Sequence, residues 1–81
     1  MKLQIRFYSQ LRDLAGTEAI DVDLINGAAV SDLLESIYKK CPALRGHDKS
    51  ILVGAGVEFV GRSYKPKPGD EISIMPPVQG G

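Results

Sequence analysis

"GDEISIMPPVQGG" (Gly69–Gly81) joins two opposite kinds of chain. From Glu71 to Met75, polar and apolar residues alternate, with Ile72 and Ile74 on one side, which is the period of a half-buried strand. Pro76 and Pro77 follow. Each fixes φ and has no N–H, so the ladder ends there and the chain leaves the sheet stiffly. Val78 offers an anchor, and Gly80 and Gly81, without Cβ atoms, suit a channel too narrow for any other residue. Read as the end of the chain, Gly81 presents an α-carboxylate. Such a group is inert alone and becomes an acyl donor once another enzyme activates it. The expected organisation is a folded domain over residues 1–75 and a flexible Gly-Gly tail over 76–81.

The rest of the chain must supply a sheet for that strand. "KLQIRFY" (Lys2–Tyr8) alternates with Leu3, Ile5 and Phe7 on one face, and "EAIDVDL" (Glu18–Leu24) with Ile20, Val22 and Leu24 inward. Between them, "SQLRDLAG" (Ser9–Gly16) reads as a short helical turn, with Ser9 as N-cap, Leu11, Leu14 and Ala15 sharing a face, and Gly16 closing it. The main helix is expected from Val30 to Cys41, where Val30, Leu33, Leu34, Ile37 and Cys41 form one apolar stripe. Asp32 and Glu35 near its start and Lys39 and Lys40 near its end suit the helix dipole, and Pro42 stops it. "ALRGHDKS" reads as a polar connection. "ILVGAGVEFV" (Ile51–Val60) reads as two strands about a turn at Gly56, and "GRSYKPKPG" as a stiffened loop. Strands and helix segregate, so the class is α+β, one main helix on a mixed sheet of about five strands. The expected core is Leu3, Ile5, Ile20, Val22, Leu33, Leu34, Ile37, Ile72 and Ile74.

Composition narrows the function. Eighty-one residues make one domain with little room for a deep active site. Ten basic and ten acidic side chains cancel, which gives no electrostatic case for nucleic acid or an anionic membrane. No stretch approaches the ~20 apolar residues of a membrane span, and the first residues enter a strand pattern directly, so a cytoplasmic protein is expected. A single cysteine, Cys41, allows neither an internal disulfide nor a multi-thiolate metal site. His47 is the only histidine and reads as a solvated loop residue. "GAGVEFVG" lacks the glycine spacing and following helix of a phosphate loop. Asp70 and Glu71, adjacent in a strand, would point to opposite faces and make no catalytic pair. No catalytic or metal-binding constellation is expected, and no bound cofactor.

"GDEISIMPPVQGG" resembles the C-terminal signature of the small subunits of molybdopterin synthase, sulfur carriers of the ubiquitin-like β-grasp superfamily. "RFYSQLRDLAG", "AAVSDLLESIYKKCP" and "ILVGAGVEFV" resemble the first strand and short helix, the main helix, and the third and fourth strands of that family. The resemblance implies a β-grasp fold with the first and last strands adjacent and central. It also implies a non-catalytic carrier. An E1-like adenylyltransferase would adenylate Gly81 with ATP and Mg²⁺, and a sulfur donor enzyme would convert it to a thiocarboxylate. The tail would then enter the large synthase subunit and pass sulfur to cyclic pyranopterin monophosphate. On this reading Gly80 and Gly81 are the transfer end, Pro76, Pro77, Val78 and Gln79 the stem, and Phe7 and Met75 candidate docking residues. Ala29 stands where the family often has a capping Thr, Gly56 where its hairpin usually has Asn, and Pro66 where it commonly has Leu. A Gly-Gly end also serves carriers for thiamine thiazole synthesis and tRNA thiolation, and ubiquitin-like modifiers joined to lysines.

Overall fold

The computed structural model describes residues 1–77. The chain runs β1 (Lys2–Phe7), α1 (Gln10–Ala15), β2 (Ala19–Asp23), α2 (Val30–Lys40), a 3-10 turn (Pro42–His47), β3 (Leu52–Ala55), β4 (Glu58–Val60) and β5 (Glu71–Met75). The strands form one sheet in the order β2-β1-β5-β3-β4. β1 and β5 are parallel, in register from Gln4 opposite Glu71 to Phe7 opposite Ile74, and the remaining pairings are antiparallel. The first and last strands are therefore neighbours in the middle of the sheet.

One face of the sheet is covered. Leu3, Ile5 and Phe7 of β1, Val22 of β2, Val53 of β3 and Ile72 and Ile74 of β5 are buried with Val30, Leu33, Leu34, Ile37 and Tyr38 of α2. Eight of the nine expected core residues are buried; Ile20, on the edge strand, is half-buried and packs against the cluster. Cys41 lies just past α2 and sends its N–H to the Ile37 carbonyl (2.8 Å). Among the described residues, no helix is long and apolar enough to cross a membrane.

Three local expectations are corrected. Ser9 does not cap α1 with its hydroxyl: it sits at φ 54°, ψ −135°, and the Arg12 N–H goes to its backbone carbonyl instead (3.1 Å). Leu14 is exposed, because a six-residue helix presents only Leu11 fully to the core. Gly16 does close α1, at φ 75°, with its N–H shared between the Arg12 and Asp13 carbonyls. Asp70, third, precedes β5 and holds a turn: its carboxylate accepts from the Lys67 N–H (2.9 Å) and the Tyr64 hydroxyl (2.7 Å).

The start of α2 shows how the two long connections are used. Ala29 has no side-chain acceptor, yet the first amides of the helix are satisfied. The Val30 N–H donates to the Tyr64 carbonyl (2.8 Å) and the Ser31 N–H to the Arg62 carbonyl (3.0 Å), while Asp32 accepts from the Ala29 N–H (3.0 Å). A loop backbone from far along the chain replaces the missing cap, and Asn26 is not needed. Pro66 is buried in the same loop, so its ring fills an apolar place.

The supposed polar connection after α2 is also structural. Leu44 of the 3-10 turn is fully buried. Asp48 accepts from the Tyr38 hydroxyl (2.5 Å) and from Arg62 (3.1 Å), and the other Arg62 nitrogen bonds the Asp48 carbonyl (2.6 Å) and the Ile51 carbonyl (3.3 Å). Arg45 forks onto Glu35 (3.0 and 3.3 Å) with its guanidinium 5.1 Å from the Tyr38 ring centre. The hydrogen bond from Tyr38, then Arg62, holds the Asp48 carboxyl below its ordinary range. Burial, then that same bond to Asp48, pushes the Tyr38 hydroxyl well above its own.

Two outcomes are expected. Leu34→Ala should cost ~2–5 kcal/mol in urea unfolding, much of the stability of so small a domain. Asp48 has a lowered folded-state pKa, so its contribution is present above the unfolded value near ~3.9 and disappears as pH falls through the folded one. Asp48→Asn should flatten the loss of stability in that acid window, measured by chemical denaturation from pH 6 downward; an unchanged slope would remove Asp48 from the account.

Candidate functional site

The uncovered face of the sheet carries the site. Strand parity sends Phe7 and Tyr8 to opposite sides. Phe7 is 3% exposed and packed in the core, whereas Tyr8, one residue beyond β1, is 43% exposed. The docking expectation for Phe7 is thus corrected: its alternation with Leu3 and Ile5 already placed it inward. Tyr8 is the residue on the open side, and its N–H donates to the Ile74 carbonyl (3.1 Å), extending the β1–β5 ladder by one bond.

Met75 does sit at this face. It ends β5 opposite Leu52, is half-buried, and is followed by half-buried Pro76 and exposed Pro77. Across the sheet, Phe59 on β4 is 65% exposed and Val57 in the hairpin turn is fully exposed. These side chains surround a shallow groove of about 220 Å³, with Gly54 and Ser73 at its base and Tyr8, Val57, Phe59 and Met75 around it. Gly54 pairs with both Phe59 and Ser73, which brings three strands together under the groove. Gly56, at φ 63°, makes the tight turn that carries Val57 and Phe59 out to the rim. Exposed apolar side chains gathered around one groove make this face the candidate docking surface. Sequence reasoning missed Tyr8, Val57 and Phe59; the signal for the two aromatics was outward parity, Tyr8 one step past inward Phe7 and Phe59 level with Gly54 and Ser73, while Val57 sits in the hairpin turn toward the Glu71 end of β5.

The remaining titratable groups do not assemble into chemistry. Among the described residues, no three His, Cys, Asp or Glu side chains are placed to hold a metal ion. Cys41 is buried and its thiol pKa is pushed up by that burial, which disfavours the nucleophilic thiolate. His47 lies half-buried at the end of the 3-10 turn, its carbonyl accepting from Ser50 and Ile51 amides. Lys39 and Lys40 are exposed on the last turn of α2, on the covered side of the sheet. The expected transfer residues Val78, Gln79, Gly80 and Gly81 lie outside the described residues.

A five-stranded mixed sheet gripping one main helix, with parallel terminal strands at its centre, defines a ubiquitin-like β-grasp protein. Comparison with known proteins agrees. The ThiS family model matches residues 5–81. A molybdopterin synthase sulfur carrier subunit of Chlamydomonas reinhardtii is 32% identical, the alignment covering 100% of both chains. The crystal structure of SAMP1 from Haloferax volcanii superposes with a TM-score of 0.88 at 27% identity, covering 100% of both. The solution structure of the small archaeal modifier protein 1 (SAMP1) of Methanosarcina acetivorans gives 0.79 at 30% identity, covering 99% of this chain and 96% of that one. The chain belongs to the ThiS family, and it is a small ubiquitin-like sulfur carrier of that family.

If the groove is a docking surface, Tyr8→Asp and Phe59→Asp should each weaken partner binding by about tenfold or more while moving stability by no more than ~0.5 kcal/mol. Phe7→Ala should do the reverse, costing ~3–5 kcal/mol in stability. Charge reversal at Lys40 should change neither. Titration calorimetry beside thermal unfolding reads both quantities, and equal loss of binding at Lys40 would move the interface.

Proposed function

We propose that this protein is the sulfur carrier of a molybdopterin synthase. Its Gly81 carboxylate is adenylated by an E1-like enzyme with ATP and Mg²⁺, converted to a thiocarboxylate by a sulfur donor enzyme, and delivered into the large synthase subunit. There the sulfur goes to cyclic pyranopterin monophosphate. The carrier itself performs no catalysis and binds no cofactor; the large subunit holds the active site. The observation that carries this reading is the end-to-end similarity to a carrier subunit of that synthase, together with "MPPVQGG" directly after β5. The position of the groove supports it: an arm of six residues, Pro76 to Gly81, reaches a partner's channel only if the body docks at the mouth, and apolar surface lies where the arm departs.

A modifier role, with Gly81 joined to lysines of other proteins, is favoured by the fold likeness to SAMP1. Carriers for thiazole synthesis or tRNA thiolation share the glycine end and are separated by which acceptor takes the sulfur.

The test is chemical. After incubation with the cognate activating enzyme, ATP, Mg²⁺ and a sulfur donor, intact-mass spectrometry should show one oxygen exchanged for sulfur at Gly81. Unmodified carboxylate alone would overturn the carrier reading, and lysine-dependent high-mass conjugates would favour the modifier. Adding one alanine after Gly81 should abolish thiocarboxylate formation and leave the melting temperature unchanged, because the described core ends at Ile74. Gly81→Ala should be milder, since the carboxylate keeps its place. Full sulfur transfer by the extended protein would show that the arm is idle.

A further inference from the structure

Gly54 lies inside β3, where glycine is a poor choice: it forfeits side-chain packing and loses more backbone entropy on folding than other residues. Its backbone does not require it, since Gly54 is absent from the positive-φ glycines at 16, 27, 56 and 69. What it provides is room. A Cβ at this position would lie 3.2 Å from the Met75 Cε, 3.6 Å from the Ser73 Cβ and 3.6 Å from the Glu58 carbonyl oxygen. Met75 pairs across the strands with Leu52, and its terminal methyl lies close to Gly54, two residues further along β3. A glycine within a strand commonly marks such a close approach.

We propose that Gly54 is a positioning residue for the docking face. By leaving out a side chain it lets the Met75 thioether fold over β3, so that Met75 meets the partner beside Tyr8 and Phe59 and the chain leaves the sheet at Pro76 from a fixed last residue. A methyl or larger group at Gly54 lifts Met75 and fills the base of the groove. This rests on the reading of that face as the surface presented to the large synthase subunit.

The experiment compares Gly54→Ala, Gly54→Val, Met75→Leu and the double variant Gly54→Ala with Met75→Leu, which removes the atom nearest the new Cβ. Thermal unfolding and affinity for the cognate large subunit are measured on each, and the NMR shift and cross-relaxation of the Met75 ε-methyl on the unaltered protein and the two Gly54 single variants. The ε-methyl of the unaltered protein should contact the Gly54 α-protons and should shift in both Gly54 single variants. Melting temperature should hold or rise, because alanine and valine suit a strand better than glycine. Affinity should fall about threefold for alanine and about tenfold for valine, about 0.7 and 1.4 kcal/mol by the usual conversion, whereas in the Met75→Leu background, where no thioether methyl is left to displace, Gly54→Ala should cost less than about twofold relative to Met75→Leu alone. Stability and binding would then move in opposite directions, which a purely structural glycine does not produce. An ε-methyl that stays put, Gly54 single variants that bind within twofold of the unaltered protein, or a Gly54→Ala loss undiminished in the Met75→Leu background would overturn the proposal. Failure of the unaltered protein to bind the large subunit would instead overturn the functional reading, and the docking role of Gly54 with it; the methyl measurement stands apart from both.

Discussion

The parallel pairing of β1 with β5 is the constraint on which the rest of the molecule depends. It joins residues 4–7 to residues 71–74, so the chain must close nearly its whole length before its central ladder exists. Parallel neighbours cannot be joined by a tight turn, and everything between them serves as one long crossover. That crossover places α2 on one face and leaves the other bare. It also sets strand parity at the pole where β5 ends: Phe7 and Ile74 face the helix together, while Tyr8 and Met75 come out together on the open side. The groove is thus a consequence of the ladder's register. A slip of one residue would bury Tyr8 and expose Phe7.

The long connections hold that arrangement in place through backbone carbonyls as well as through buried Leu44, Ile51 and Pro66. The Arg62 and Tyr64 carbonyls serve as the cap that Ala29 does not provide, and Arg62 itself reaches the Asp48 and Ile51 carbonyls. Asp70 then closes the same loop onto Tyr64 and Lys67 before the chain enters β5. The three polar centres at Asp48, the start of α2 and Asp70 are linked along one stretch of chain, residues 61–70. The half-exposed ion pairs nearby, Arg62–Asp48 and Arg45–Glu35, are worth little as charges in water. Their use is geometric: the first ties this loop to the segment after the 3-10 turn, and the second ties that turn to α2.

Regular elements were legible in the sequence because their periods are unambiguous. Leu3-Ile5-Phe7, Ile72-Ile74 and the stripe from Val30 to Cys41 each have one solution, and the structure adopts it. The central pairing of the ends was not readable from alternation, which also permits an open meander; the family resemblance supplied it. What escaped local reading was non-local. A single buried Leu44 among polar neighbours has no period, and a helix capped by carbonyls about thirty residues away has no motif. The cap expected of the Ser9 hydroxyl is absent: at φ 54°, ψ −135° the residue departs from the extended backbone usual at an N-cap, and its carbonyl takes the Arg12 N–H instead. Of the two docking candidates, Met75 lies on the open face, whereas Phe7 is in the core, as its parity with Leu3 and Ile5 indicated. Tyr8 and Phe59 emerged only when the strands carrying them were brought side by side.

The ladder between β1 and β5 also governs how the molecule meets a mechanical load. Because the two strands run the same way, Met1 and Pro77 lie at opposite poles of the sheet. A force drawing them apart slides β1 along β5, and the evenly spaced bonds of the parallel pair bear it together instead of opening one by one. Tension between Met1 and Pro77 therefore reaches the central ladder as shear along the strands, not as peeling from one end.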